Sequence, residues 1–493
     1  MGKVLYKSTR SDGNSFEASE AILKGISEDG GLFVPVVFPK LGVSLEEIFK
    51  LNYKELALNI LGTFFTDFSE EELKYCIDKA YNDKFDSELF APLIKKGEDF
   101  FLELYHGPTL AFKDMALSIL PYLIKVASKK NEINKDIVIL TATSGDTGKA
   151  ALEGFAKVPG TKIIVFYPSK GVSEIQKRQM VTQEGENTLV IGIDGSFDDA
   201  QSGVKNIFND KKMLEKLDAK GYIFSSANSI NIGRLIPQIV YYFYSYKQLL
   251  DMGEIELGEK INFTVPTGNF GNILAGFYAK KLGLPIDKFI CASNVNNVLF
   301  DFINSGTYNK RRELIVTNSP SMDILLSSNL ERFLYDISDS NSDILKGYMN
   351  SLADEGIYTV NASMLNKMKD FYGGFASEEE TIEAIAKVYK SYNYVMDTHT
   401  AVAYKVYDSY RKKVSDTNKN VILSTASPFK FPSSVAKAID NTIEGDDFQK
   451  VKELSLLLNL DIPRNIKDLD KKPIIHNKTC SRSQMSIFVE QFL

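Results

Sequence analysis

The sequence predicts an α/β protein built on two open parallel sheets, preceded by a mainly helical section. Two observations lead there. From about residue 137 short apolar runs alternate with amphipathic stretches, and the same rhythm resumes near residue 263 after a long helical stretch. A chain of 493 residues also exceeds one ordinary core, so two or three domains are expected.

Residues 1–100 read as helical, with Gly30-Gly31 and two prolines as early breaks and Leu45 to Cys76 at helical spacing. Ile137–Leu140 reads as a buried strand, followed by a Gly-bearing turn and a helix from Lys149. Strands at Lys162–Tyr167, Leu189–Ile193 and Tyr222–Ser225 follow. They are separated by helices over Ser173–Thr182 and Asp198–Phe208, with a last helix over Arg234–Leu249. Such alternation implies a parallel sheet covered on both faces. Phe263–Val265, Phe289–Cys291 and Val421–Leu423 are strands of a second unit, and 305–400 reads as polar and mostly helical. The expected division is an N-terminal section to 100, a smaller α/β unit over 101–255, and a larger one over 256–493 ending in a helical part.

Hydrophobic residues make up 44% and charged residues 25%, as in a globular protein with a large core. A formal net charge of -6 argues against nucleic-acid binding, so an anionic ligand would need local cations. No apolar run approaches the ~18 residues needed to cross a bilayer, and the start lacks signal-peptide character. Cys76, Cys291 and Cys480 are widely spaced, as are His106, His399 and His476, so no metal site is expected. Unpaired thiols fit the cytoplasm.

Open α/β sheets bind ligands beyond the carboxyl ends of their strands. Three such turns are rich in small and polar residues: Thr143-Ser144-Gly145-Asp146-Thr147-Gly148, Pro266-Thr267-Gly268-Asn269-Phe270-Gly271-Asn272 and Ser424-Thr425-Ala426-Ser427-Pro428. Converging N–H groups at a helix start suit a carboxylate or phosphate, although a capped helix start would use the same residues. Gly148-Lys149 is no P-loop, because position 143 is Thr and Ala150 follows the lysine. A further segment, Ser226 to Asn231 with Arg234, offers amide, hydroxyl and guanidinium donors suited to a phosphate dianion.

The reactive candidate is Lys113, in His106-Gly107-Pro108-Thr109-Leu110-Ala111-Phe112-Lys113-Asp114. It opens an apolar helix over Met115–Ala127. Partial burial would lower its pKa and free a neutral amine for covalent carbonyl chemistry. An ordinary lysine would instead pack its stem and leave its head in solvent.

This motif resembles the pyridoxal-phosphate (PLP) lysine motif of the threonine synthases, in the fold-type II, tryptophan-synthase-like group. Further likenesses run in the family's order along the chain: Ser8-Thr9-Arg10, Asp29 to Leu32, T-S-G-D-T-G at 143–148, F-D-D-A-Q at 197–201, S-I-N-I-G-R at 229–234, P-T-G-N-F-G-N at 266–272, S-P-S-M-D-I at 319–324 and S-S-N-L-E-R at 327–332. One departure is Ser427, where the family often has His.

The resemblance implies PLP in a cleft between the two α/β domains, held covalently by Lys113 and by its phosphate on Gly268, Asn269, Phe270, Gly271 and Asn272. Thr425 would meet the ring nitrogen and Asp146 the phenolic oxygen. Thr143, Ser144 and Thr147 would hold the substrate carboxylate, and Asn228, Ser229 and Arg234 its phosphate. The implied substrates are O-phospho-L-homoserine and water, and the products L-threonine and phosphate. Lys113 would move the protons, and the leaving phosphate would serve as base for water addition, which would account for the shortage of histidines near the motifs. A monomer or homodimer is implied, with no nucleic-acid or membrane partner. A related PLP lyase or a non-catalytic PLP-binding paralogue are the alternatives.

Overall fold

A computed structural model describes residues 2–143, 145–169 and 172–493. Two sheets organise it. The first holds five parallel strands in the spatial order Thr479–Cys480, Thr188–Ile193, Thr161–Pro168, Asp136–Ala142, Tyr222–Ser225. The second holds six, in the order Phe371–Phe375, Ile286–Ser293, Ile261–Pro266, Asn420–Ser424, Asp99–Glu103, Leu93–Lys96, of which only the last pairs antiparallel. The central strands are apolar on both faces, as Ile-Val-Ile-Leu at 137–140 and Val-Ile-Leu at 421–423 require when helices cover both sides.

Two departures from the sequence reading lie beside Lys113 in the chain. The Leu93–Glu103 hairpin lies in and just beyond the section expected to be helical, yet its strands complete the second sheet beside Asn420–Ser424. The helix expected over Met115–Ala127 is split into Asp114–Leu117 and Leu120–Lys130. Pro121 at the start of the second piece explains the break, since proline suits a first turn and not an interior one.

The N-terminal section is fastened by ion pairs and buried hydrogen bonds. Thr9 and Arg10 both donate to Glu331, Arg10 through two contacts of 2.9 and 2.8 Å. Arg332, fully buried, donates to Phe33 O and Ile230 O and to Asn329 Oδ1.

His106 proves to be a clamp. Its ring nitrogens meet Asp86 at 2.6 Å and Glu103 at 2.9 Å. Burial disfavours the charged ring, but the two carboxylates outweigh it and raise the pKa to about 9. Raised above its unfolded value, the group stabilises the fold fully below about pH 6.5 and loses that contribution as pH climbs through about 9. His106→Gln is therefore expected to lower the denaturation midpoint at about pH 6 and to change it little at about pH 10. An equal loss at both pH values would contradict the charged clamp.

Candidate active site

Four turns leave the carboxyl ends of sheet strands. Residues 143–148 follow Asp136–Ala142 and 226–231 follow Tyr222–Ser225; residues 267–272 follow Ile261–Pro266 and 425–428 follow Asn420–Ser424. The Lys113 loop is stitched to the last of these. Ala111 bridges Ala426, Phe112 N donates to Thr425 O at 2.8 Å, and Ser427 N donates to Leu110 O at 3.0 Å. Leu110 takes φ +61°, a left-handed turn that brings Lys113 to the start of its short helix.

The Lys113 amine lies 3.1 Å from Ser321 Oγ and 3.5 Å from Asp146 Oδ2. Burial pulls it below the ordinary lysine range; Asp146 opposes that, and the nearby cations Lys430 and Arg234 reinforce it. Asp146 in turn meets Lys430 at 2.5 Å and accepts from Gln176 Nε2 at 2.8 Å. Burial works against its charge, yet Lys430 and Lys113 hold its carboxyl well below the usual range. Lys113 and Lys430 thus share the Asp146 carboxylate while Arg234 has none of its own, a positive excess that an anionic ligand would neutralise.

Arg234 carries most of that excess. It is 3% exposed, donates to Ala227 O at 2.9 Å, and leaves Nε buried with no partner among the described residues. Burial lowers its pKa to about 10, and no carboxylate lies within 4 Å of it among the described residues.

The 267–272 turn is rigid and crowded. Phe270 takes φ +61° at the start of the Gly271–Lys281 helix. A Cβ on Gly268 would lie 2.6 Å from Ser321 O, so only glycine fits. Asn272 Oδ1 accepts from Tyr241 and Tyr242 at 2.7 and 2.9 Å, which fixes the amide and leaves its Nδ2 buried and unpartnered among the described residues. Asn269 O accepts from Asn329 N, and Asn329 Nδ2 donates to Ser229 O, tying this turn to the 226–231 segment.

The remaining expected residues are placed less tightly. Thr143 Oγ1 accepts from the N–H groups of Gly145 and Gly148, so it shapes its own turn. Thr147 and Ser229 are half-buried and Asn228 is exposed. Thr425 is buried, and its hydroxyl has no protein partner among the described residues. Ser427 Oγ accepts from Phe429 N, capping the turn that leads to Lys430. Ser144 lies outside the described residues.

Sequence reading missed Lys430, Gln176, Ser321, Asn329 and His399 as parts of this site. The motifs looked poor in histidine, yet His399 Nε2 reaches Ser321 N at 3.1 Å. Apart from Asn329 and Ser321, which lie in motifs given no role, nothing local marks them.

Residues 93–426 match the family described as pyridoxal-phosphate dependent enzyme, 5–81 match the threonine synthase N terminus, and 400–478 match the threonine synthase C-terminal family. Threonine synthase from Schizosaccharomyces pombe is 37% identical over 472 residues, covering 89% of this chain and 90% of its own. The chain belongs to the threonine synthase family. Its PLP-bound relative from Brucella melitensis, at 34% identity, superposes with a TM-score of 0.88 over 99% of both chains. Human threonine synthase-like 1 is 39% identical over 434 residues, 85% of this chain, and the chain spans 58% of that protein's length. The pyridoxal-phosphate dependent enzyme match covers most of the chain, and its two mainly parallel sheets are those of the PLP-bound relative's fold.

The site fits that cofactor. It offers a buried amine of lowered pKa, an orphaned amide donor at Asn272, an uncompensated guanidinium and a glycine cradle without room for a side chain. Gly268→Ala is therefore expected to weaken PLP retention roughly tenfold or more, because the added methyl must push the turn from Ser321. Gly347→Ala, where nothing lies within 4 Å, should retain PLP like the parent. Full PLP content in the Gly268 variant, measured by absorbance per chain, would contradict this.

Proposed function

We propose that this chain converts O-phospho-L-homoserine and water to L-threonine and inorganic phosphate, acting as a PLP-dependent lyase. The observation that carries the reading is the nearly buried Lys113 amine, which shares Asp146 with Lys430 and has Arg234, a cation with no carboxylate of its own, nearby. A phosphorylated ligand would meet that excess, and Arg234, with no carboxylate of its own, is the cation best placed to take a phosphate.

When bound, PLP supplies the electron sink for breaking C–H bonds of the amino acid. Lys113 would hold it and would then serve as the base that takes the Cα proton and returns protons along the carbon chain. Gly268 to Asn272 would hold its phosphate, Thr425 its ring nitrogen through the free hydroxyl, and Asp146 its phenolic oxygen. A neutral hydroxyl at the ring nitrogen would leave the ring less electron-withdrawing than a carboxylate partner would. Thr143, Ser144 and Thr147 would orient the substrate carboxylate. Asn228, Ser229 and Arg234 would bind its phosphate, and with it the leaving group. Three buried, unpaired thiols support a cytoplasmic setting.

Incubating the purified, PLP-loaded protein with O-phospho-L-homoserine should yield threonine and phosphate in equal amounts. Phosphate without threonine would favour a phospholyase instead.

A further inference from the structure

The loop that carries Ser321 touches Lys113, Asp146 and Gly268, yet it belongs to none of the glycine-rich turns. Ser321 Oγ accepts from the Lys113 amine at 3.1 Å and lies 3.4 Å from Asp146 Oδ2, to which its own hydroxyl can donate. Its main chain is held from behind. Ser321 N donates to His399 Nε2 at 3.1 Å, and because a backbone N–H can only donate, that ring nitrogen must be the unprotonated one. The His399 proton is therefore on Nδ1, where it meets Asp397 Oδ2 at 2.7 Å.

Asp397 is fully buried and cannot drift. Its carboxylate also accepts from His399 N and Thr400 N at 2.9 and 3.1 Å and from the Thr400 hydroxyl, as the cap of the Thr398–Lys413 helix. Thr398 Oγ1 adds a second tie to the same loop, donating to Asn318 O at 2.7 Å. Asp323, on the far side, accepts from Asn294, Asn296 and Thr317. The loop is thus fixed at both ends of Ser321.

We propose that Ser321 is a catalytic residue that orients the Lys113 amine, and that Asp397 and His399 are positioning residues acting through it. A neutral amine has two N–H bonds and one lone pair. With one N–H engaged by Ser321 Oγ and the other by Asp146 Oδ2, the lone pair is the direction left open, so the base is aimed rather than free to rotate. His399 does not take a proton in this scheme; it fixes where Ser321 stands.

This inference rests on Lys113 being the reactive amine. Ser321→Ala and His399→Leu are expected to lower kcat roughly tenfold with KM changed less than about threefold and with PLP content retained. His399→Gln places an amide oxygen where Nε2 stood and should restore most of the loss, which a merely space-filling role would not produce. In cofactor-stripped full-length protein, reloading of PLP followed by its visible absorption should slow by a similar factor in Ser321→Ala and His399→Leu. The inference is overturned if Ser321→Ala keeps kcat and reloading within about twofold of the parent, or if Gln and Leu at 399 lose equally. A parent that makes no threonine at all would defeat the proposed reaction instead, and the reloading rates would still decide this one.

Discussion

Lys113→Ala is expected to lower threonine formation by at least roughly a thousandfold, since it removes both the covalent anchor and the proton-transferring base. The chain should still fold. Asp146 keeps its 2.5 Å pair with Lys430 and its bond from Gln176, so no buried carboxylate is stranded. A steady-state assay beside a thermal melt checks both halves. Retention of more than about 0.1% of turnover would contradict the assignment.

Arg234→Ala should follow in size, and its logic is electrostatic. A guanidinium that is 3% exposed, with one carbonyl acceptor and an orphaned Nε, gains little from the protein itself. Removing it should leave the ligand-free protein as stable as before, because an unpaired buried charge costs free energy. Its contact with a phosphate dianion is worth ~1.5–3 kcal/mol, so kcat/KM should fall roughly tenfold to more than a hundredfold. Bound PLP and kcat/KM measured on the same variant separate the readings. Lost PLP would move Arg234 to the cofactor phosphate, and two unchanged values would remove it from the site.

Much of this was legible because the chemistry sits in local patterns. Glycine-rich turns directly after apolar runs mark strand ends, and T-S-G-D-T-G and P-T-G-N-F-G-N do leave the carboxyl ends of strands in two different sheets. The Phe371–Phe375 strand was not legible, since its Gly373-Gly374 pair reads as a loop. Glycine is required there because a Cβ at 374 would lie 2.5 Å from Val406 Cγ1 of the covering helix. Leu93–Glu103 hid for another reason: its Lys-Lys-Gly-Glu-Asp turn looks like a solvated surface, and only the distant Asn420–Ser424 strand makes Phe100 to Leu102 a buried row. Lys430 is joined to the site by contacts spanning hundreds of residues and His399 by one spanning 78, and no spacing rule reaches that far. Arg234, by contrast, was read from its donors, and its complete burial is what the fold added.

The most direct test of the central claim is borohydride reduction of the PLP-loaded protein followed by peptide mapping. Lys113, Lys149 and Lys430 are all buried or nearly so, but they differ in what surrounds them. Lys149 contacts Gln183 and Glu153, and Lys430 is engaged by Asp146 and by Thr109 O at 2.8 Å. Lys113 alone of the three faces Asp146 and the Ser321 hydroxyl at the ends of both sheets. The reduced label is expected on Lys113; finding it on Lys149 or Lys430 would contradict Lys113 as the PLP-bearing residue.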